Sequence, residues 1–216
     1  MVKVCHLVPV TVVKALPNYD SYLTLIAGTE LLALLPKKYS NRIFKIGDTT
    51  LAAIFQMEKN RITLSQKSPQ YIRKLMELLF APLLREGKIK VKRAAMVARC
   101  KFAKVAIESL NGLDPVKQCL PYLKAAKQYT DDTITLVRYS DDIKEYIVNA
   151  LSPAPSEMVR KVIHFKSSRE ADVYVDSAYV GLFLGKGGAN VASAAKLTGV
   201  AINIKCNVFD SINHQK

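Results

Sequence analysis

Up to residue 66, apolar and polar positions alternate in short runs. The segments "VKVCHLVPVTVV" (2–13), "SYLTLIAG" (21–28), "TELLALLP" (29–36), "TTLAAIFQME" (49–58) and "NRITLSQ" (60–66) are rich in Val, Ile, Leu and Thr. A period of two with β-branched residues predicts short strands. Turn signals separate them at Pro17-Asn18, Gly28, Lys45-Ile46-Gly47-Asp48 and Lys59-Asn60. Five strands at this spacing predict a small barrel of the OB type over residues 1–67.

At Ser68-Pro69 the texture changes. Ser68 suits an N-cap and Pro69 a first helical position, and Ile72, Leu75, Met76 and Leu79 recur at helical spacing behind them. The basic stretch "GKIKVKRAAMVARCKFAKVAIESL" predicts two strands. "DPVKQCLPYLKAAKQYT" predicts a helix interrupted by Pro121, and "DTITLVRY" another strand. Ser140-Asp141-Asp142 starts a helix over "IKEYIVNAL", closed by Ser152-Pro153-Ala154-Pro155. "EMVRKVIHFKS" and "ADVYVDS" predict a hairpin across Ser167-Ser168-Arg169-Glu170. Helical "SAYVGLFLG", a glycine break, helical "ANVASAAKLTG" and strand "VAINIK" follow, with Gly199 placed as a helix-terminating glycine. Residues 68–139 and 140–206 thus share one order: helix, strand, strand, helix, helix, strand. The predicted class is α+β, with domains at 1–67, 68–153 and 154–216.

The break Gly185-Lys186-Gly187-Gly188 is the most specific local feature. It lacks the spacing and the Ser/Thr of a Walker loop, and no G-x-G-x-x-G opens a strand–helix unit. One reading is a plain helix cap and turn. The other is a turn that exposes the first N–H groups of the following helix to an anion, with glycines admitting a sugar-phosphate backbone and Lys186 adding charge. That second arrangement is the GXXG clamp of a KH domain, which grips single-stranded nucleotides. The face Val200/Ile202/Ile204 of the last strand would then support splayed bases.

Charge favours the second reading. The chain has 216 residues with 32 Lys+Arg against 18 Asp+Glu, a net charge of +14. Such an excess points to a polyanion, nucleic acid before an acidic membrane surface. No apolar run reaches the length of a membrane-spanning helix. Cys5, Cys100, Cys119 and Cys206 have no CxxC spacing, and His6, His164 and His214 form no ligand cluster, so neither a metal nor a cofactor is expected. Free thiols fit a reducing cytoplasm.

Other candidates have two readings each. Lys88, Lys90 and Lys92 alternate with Ile89 and Val91, either as a solvated sheet face or as a phosphate track extending the clamp. Tyr19 and Tyr22 either stack bases or pack a turn. The pairs Asp131-Asp132 and Asp141-Asp142 lie where caps are wanted rather than where acid–base chemistry is done.

With these residues in view, "LGKGGANVASAAKLTGVAINI" resembles the second KH domain of the NusA family of bacterial transcription factors, whose motif runs IGKxGQNxRLAxxLTGWxIDI. "DDIKEYIVNALSPA" is similar to the family's segment between two KH domains. "ITLSQKSPQYIRKLMELLFAPLLREGKIKVK" and "KIGD" resemble its S1-type barrel and the passage into the first KH helix. The resemblance implies an S1-like barrel followed by two tandem type II KH-like domains. It implies single-stranded RNA, the nascent transcript, as partner, and RNA polymerase or other Nus-type factors beside it. The role implied is in pausing, termination or antitermination, and not an enzymatic one. An RNA-binding adaptor in translation or decay and a protein-interaction module are the alternatives. The clamp residues so implied are Gly185, Lys186, Gly187 and Gly188, helped by Asn190, Lys196 and Ile202.

Three departures from the family pattern stand out. Its N-terminal polymerase-binding domain has no counterpart in this sequence. "DPVKQCLPYLKAAKQYTDDTITL" keeps Asp114-Pro115-Val116 and Cys119 but has no glycine loop, so the first KH-like domain is expected to be degenerate for clamping. Ala189 stands where the family has Gln.

Overall fold

The computed structural model describes residues 3–59 and 61–206. The expected turn at Lys59-Asn60 therefore lies partly, and His214 wholly, outside the described residues. The chain divides into two compact units. One holds the residues up to Glu86 together with Cys119–Asp132; the other holds Gly87–Gln118 and the chain from Thr133 onward.

The first unit is built on a closed barrel of β1 (Leu7–Leu16), β2 (Ser21–Ile26), β3 (Leu32–Pro36), β4 (Thr49–Glu58) and β5 (Arg61–Ser65), in the order β1-β2-β3-β5-β4. β1 closes the barrel by pairing antiparallel with β4, Leu7 opposite Ala53. Bulges between Val12 and Lys14 and between Ile54 and Gln56 supply the local bend that closure needs. The alternation seen in the sequence turns Val10, Val12, Ile26, Leu35, Ile54 and Leu64 inward. Tyr22 joins them at 2% exposure, its hydroxyl accepting the Phe44 N–H at 3.2 Å. The packing alternative therefore holds for Tyr22, whereas Tyr19 stands exposed.

After the barrel, α1 (Pro69–Leu79) starts as expected: Ser68 Oγ accepts the Tyr71 N–H at 3.1 Å, and Tyr71, Ile72, Leu75 and Met76 are buried. A short α2 (Ala81–Arg85) follows. The Tyr71 hydroxyl donates to Tyr129 O at 2.7 Å, and Asn41 Nδ2 donates to the same oxygen at 2.9 Å. These two bonds tie the 119–132 segment into the first unit.

The second unit contains two three-stranded sheets of one design. In the first, β6 (Ile89–Val97) runs antiparallel to β7 (Phe102–Ser109). α3 (Pro115–Leu123), within which the division between units falls, leads to β8 (Thr133–Arg138), parallel to β7. Pro121 does not interrupt α3 as expected. The helix runs two residues past it before tightening into a 3-10 stretch, Lys124–Gln128.

α4 (Ile143–Ala150) is capped by Asp142, whose carboxylate accepts the Lys144 N–H at 2.8 Å. In the second sheet β9 (Val159–Phe165) pairs antiparallel with β10 (Glu170–Val175). α5 (Val180–Leu184) and α6 (Ala189–Thr198) then lead to β11 (Ala201–Cys206), parallel to β10. Gly199 ends α6 at φ 76, in the left-handed region where glycine is preferred.

One core joins these parts: Ala95, Ala106 and Val137 from the first sheet, Ile147 and Ala150 from α4, and Phe183, Ala194 and Leu197 from α5 and α6. The small residues of "ANVASAAK" let α6 lie close against β6, β7 and α4. No helix among the described residues is long and apolar enough to cross a membrane, and all four cysteines are free thiols.

Candidate nucleic-acid interface

The glycine break is a sharp turn between α5 and α6, and its geometry explains its composition. Gly185 has φ 71 and ψ 169, a conformation essentially closed to other residues. A Cβ there would sit 2.7 Å from Asn190 Cβ and 2.9 Å from Asn190 N. Glycine is thus required twice at that position, by torsion and by space. Gly187 (φ 58) and Gly188 (φ 72) are also left-handed but face open surroundings, with Cys100 Sγ at 4.0 Å the nearest atom to a Cβ on Gly187. Gly188 is the N-cap residue of α6 and no side chain caps that helix. Its first N–H groups and the positive end of its dipole therefore meet an approaching anion without a competing carboxylate or hydroxyl. Lys186 lies exposed in the turn.

The turn is held from behind by Asn190. That side chain is 4% exposed. Its Nδ2 donates to Leu151 O at 2.8 Å and Phe183 O at 3.0 Å, and its Oδ1 accepts from Lys104 Nζ at 2.6 Å. Lys104 is itself 0% exposed, and its ammonium also donates to Ala150 O and Ser152 O. Three acceptors match its three donors, with no carboxylate among them. Burial pulls the Lys104 pKa down to about 7. A strand of the first sheet, the end of α4 and the start of α6 are thereby joined at one point under the glycine turn.

The expectation that Asn190 touches RNA is corrected accordingly, because both ends of its amide are engaged in the interior. Ile202 is corrected too: at 9% exposure it belongs to the core, since that face of β11 packs on the helices rather than facing bases. Lys196 is exposed, but its ammonium donates to Met96 O at 3.1 Å.

Lys88, Lys90 and Lys92 alternate with buried Ile89 and Val91 as read, yet they lie at the far end of β6 from the turn. Six to ten residues of strand separate them from Ala98, roughly 20–30 Å. Lys92 is engaged where it stands, 3.2 Å from Glu108 and 4.2 Å over the Tyr139 ring. The structure does not bring these three lysines together with the glycine turn.

It brings a different set there. The short turn Ala98–Cys100 between β6 and β7 lies against the loop, and Arg99 Nη2 donates to Gly187 O at 3.4 Å. Arg99, Lys101, Phe102, Leu182, Gly185 and Lys186 line one cleft of about 770 Å³. Leu182 is 58% exposed, a large apolar side chain on an open wall. Cations with apolar surface between them suit a chain of charged backbone and flat bases. Nothing in "ARCKF" marks Arg99, Lys101 and Phe102 as belonging with a loop more than eighty positions later. The left-handed conformation of Lys101 (φ 48) appears only in three dimensions.

A family model described as the NusA-like second KH domain matches residues 143–208, the part of the chain that holds this turn. The transcription termination/antitermination protein NusA of Halalkalibacterium halodurans is 31% identical over 186 residues, covering 82% of this chain and 47% of that protein. The protein of the same name from Borreliella burgdorferi is 27% identical over 199 residues, covering 87% and 40%. That from Bacillus subtilis is 29% identical over 206 residues, covering 90% and 53%. The chain spans about half the length of these relatives.

Proposed function

We propose that this chain, a NusA homologue over four-fifths of its length, binds single-stranded RNA through the Gly185–Gly188 turn and acts on the nascent transcript during elongation, termination or antitermination. The observation that carries the reading is the uncapped start of α6 behind left-handed glycines, set in a cleft with Arg99, Lys101 and Lys186. The names of the relatives support the transcriptional setting. In this reading residues 1–67 form an S1-like module, 68–153 a first KH-like module that does not clamp, and 154–216 the clamping module. The protein works in the cytoplasm as a binding factor rather than an enzyme, beside RNA polymerase or Nus-type partners.

The test is binding of one labelled, unstructured RNA and its duplex form across a salt series. Each phosphate neutralised on a single strand contributes about 0.7 to the fall of log affinity with log salt. The expected result is a steep fall for the single strand and weak duplex binding. A flat salt response, or equal affinity for duplex, defeats the proposal.

A further inference from the structure

A second basic cleft lies at the other end of α6. Arg93 of β6, His164 of β9, and Lys166 and Arg169 of the β9–β10 turn line it, beside Gly199 at the end of the helix. Its volume is about 540 Å³, and no carboxylate lines it among the described residues. A Cβ on Gly199 would touch Arg93 Nη1 at 3.5 Å, so the guanidinium lies directly over the end of α6. α6 spans ten residues, which puts this cleft about 15 Å from the glycine turn.

A second, independent observation concerns Arg169. It is left-handed, at φ 54, a conformation that ordinary side chains rarely adopt and that glycine or asparagine takes more readily. Lys101 occupies the matching place in the other sheet, at φ 48. Each is the last residue before the central strand of its sheet. Each carbonyl accepts the N–H of the residue that opens the third strand: Thr133 to Lys101 at 2.8 Å, Ala201 to Arg169 at 2.9 Å. The same turn is thus built twice, both times with a cation where geometry favours glycine or asparagine, and both times that cation lines a cleft. Lys101 shares its cleft with the glycine loop. Arg169 shares its own with Arg93, His164 and Lys166.

We infer that the cleft of Arg93, His164, Lys166 and Arg169 is a second phosphate-binding site for the RNA strand gripped at the glycine turn. This rests on the clamp reading above. The KH loop accounts for about four nucleotides; the second cleft engages phosphates beyond them and so lengthens the binding site without reading bases. Cations placed only to offset the carbonyl end of α6 would act on stability alone, and Lys196 already stands in its last turn.

The test compares the wild-type protein, Gly187→Asp, and the double variant Lys166→Gln/Arg169→Gly. Glycine at 169 keeps the left-handed turn while removing the charge. Binding of a 5-nucleotide and a 15-nucleotide unstructured RNA is followed by fluorescence anisotropy over a salt series, with thermal melts as the folding control. The double variant is expected to weaken the 15-mer about five- to twentyfold and to lower its salt slope by about 1.4, the share of two phosphates. The 5-mer is expected to bind as it does to wild type. If the folded double variant holds the 15-mer as tightly as wild type, or loses both lengths equally, the second site is refuted. Retained sensitivity of the 5-mer to Gly187→Asp would then leave the clamp standing. If wild type binds neither length, or Gly187→Asp changes nothing, the clamp fails and this inference falls with it.

Discussion

Two helix-to-helix passages occupy the same place in the repeated element order, and they are built differently. From α5 to α6 the chain turns through Gly185-Lys186-Gly187-Gly188, three of them at positive φ, and starts a new helix without a side-chain cap. From α3 onward it passes through Leu120-Pro121-Tyr122-Leu123 into a 3-10 stretch with Leu123 still helical at φ −66 and ψ −28. No helix start is laid open there, because the helical ladder runs on. The Tyr122 ring instead stacks edge-on against Phe80 at 6.5 Å. A shared order of elements therefore does not bring a shared passage between helices. The clamp we propose rests on the missing Cβ at Gly185 and on the uncapped start of the next helix.

The largest effect expected from this contrast is structural. Asn190→Ala removes the side-chain donor to Phe183 O, leaves Leu151 O with the Ala154 N–H alone, and takes an acceptor from the buried Lys104. Unsatisfied buried groups of this kind cost about 2–4 kcal/mol. A urea titration of the variant should show that destabilisation, and an unchanged midpoint would mean that the glycine turn is not held from behind. No such buried polar post is needed under the continuous α3 passage.

A pH dependence of about 2 kcal/mol should follow from Lys104. The unfolded chain keeps that proton up to about 10.5, whereas burial makes the folded chain release it near 7. The unfolded state binds more protons across this window, so stability rises with pH from 7 to 9 by up to about 1.4 kcal/mol per unit. Lys104→Met should remove that rise. Urea midpoints at pH 7 and 9 for both proteins check it, and parallel behaviour of the two would show that Lys104 does not titrate there.

The smallest effect belongs to Lys186. It is exposed in the turn, so Lys186→Ala should leave stability within about 0.5 kcal/mol. RNA affinity should fall about two- to fivefold, with the salt slope lower by about 0.7, one phosphate. Anisotropy titrations at three salt concentrations measure both. A variant that binds more weakly with no change of slope would place Lys186 off the phosphate path.

Much of the scaffold was legible in the sequence because it rests on local signals. Alternation marked the barrel strands, Ser68 and Asp142 marked helix starts, and Gly199 marked a helix end. The glycine turn was legible as well, since few other reasons put three glycines around a lysine. The remainder depended on partners distant in the chain. Asn190 reads as a surface polar residue until Lys104 meets it inside the second unit. Ile202 reads as a free apolar face until the helices cover it. Arg99 and Lys101 sit in a basic run whose most regular part, Lys88 to Lys92, lies at the wrong end of the strand. Pro121 signals a helix break, yet α3 continues past it, so the tertiary setting overrides the local preference.

The central claim is that one passage clamps RNA and the other does not. The most direct measurement is a paired titration of Gly187→Asp and Leu120→Asp against one labelled single-stranded RNA at fixed salt, with circular dichroism to confirm folding. Both changes add one carboxylate at an open position, since a Cβ at 187 meets nothing nearer than 4.0 Å and Leu120 is 51% exposed. Gly187→Asp should weaken binding by about 1–3 kcal/mol, the scale of one charge-assisted hydrogen bond to a phosphate, while Leu120→Asp should stay within about 0.5 kcal/mol of wild type. Equal weakening in two folded variants would contradict the account.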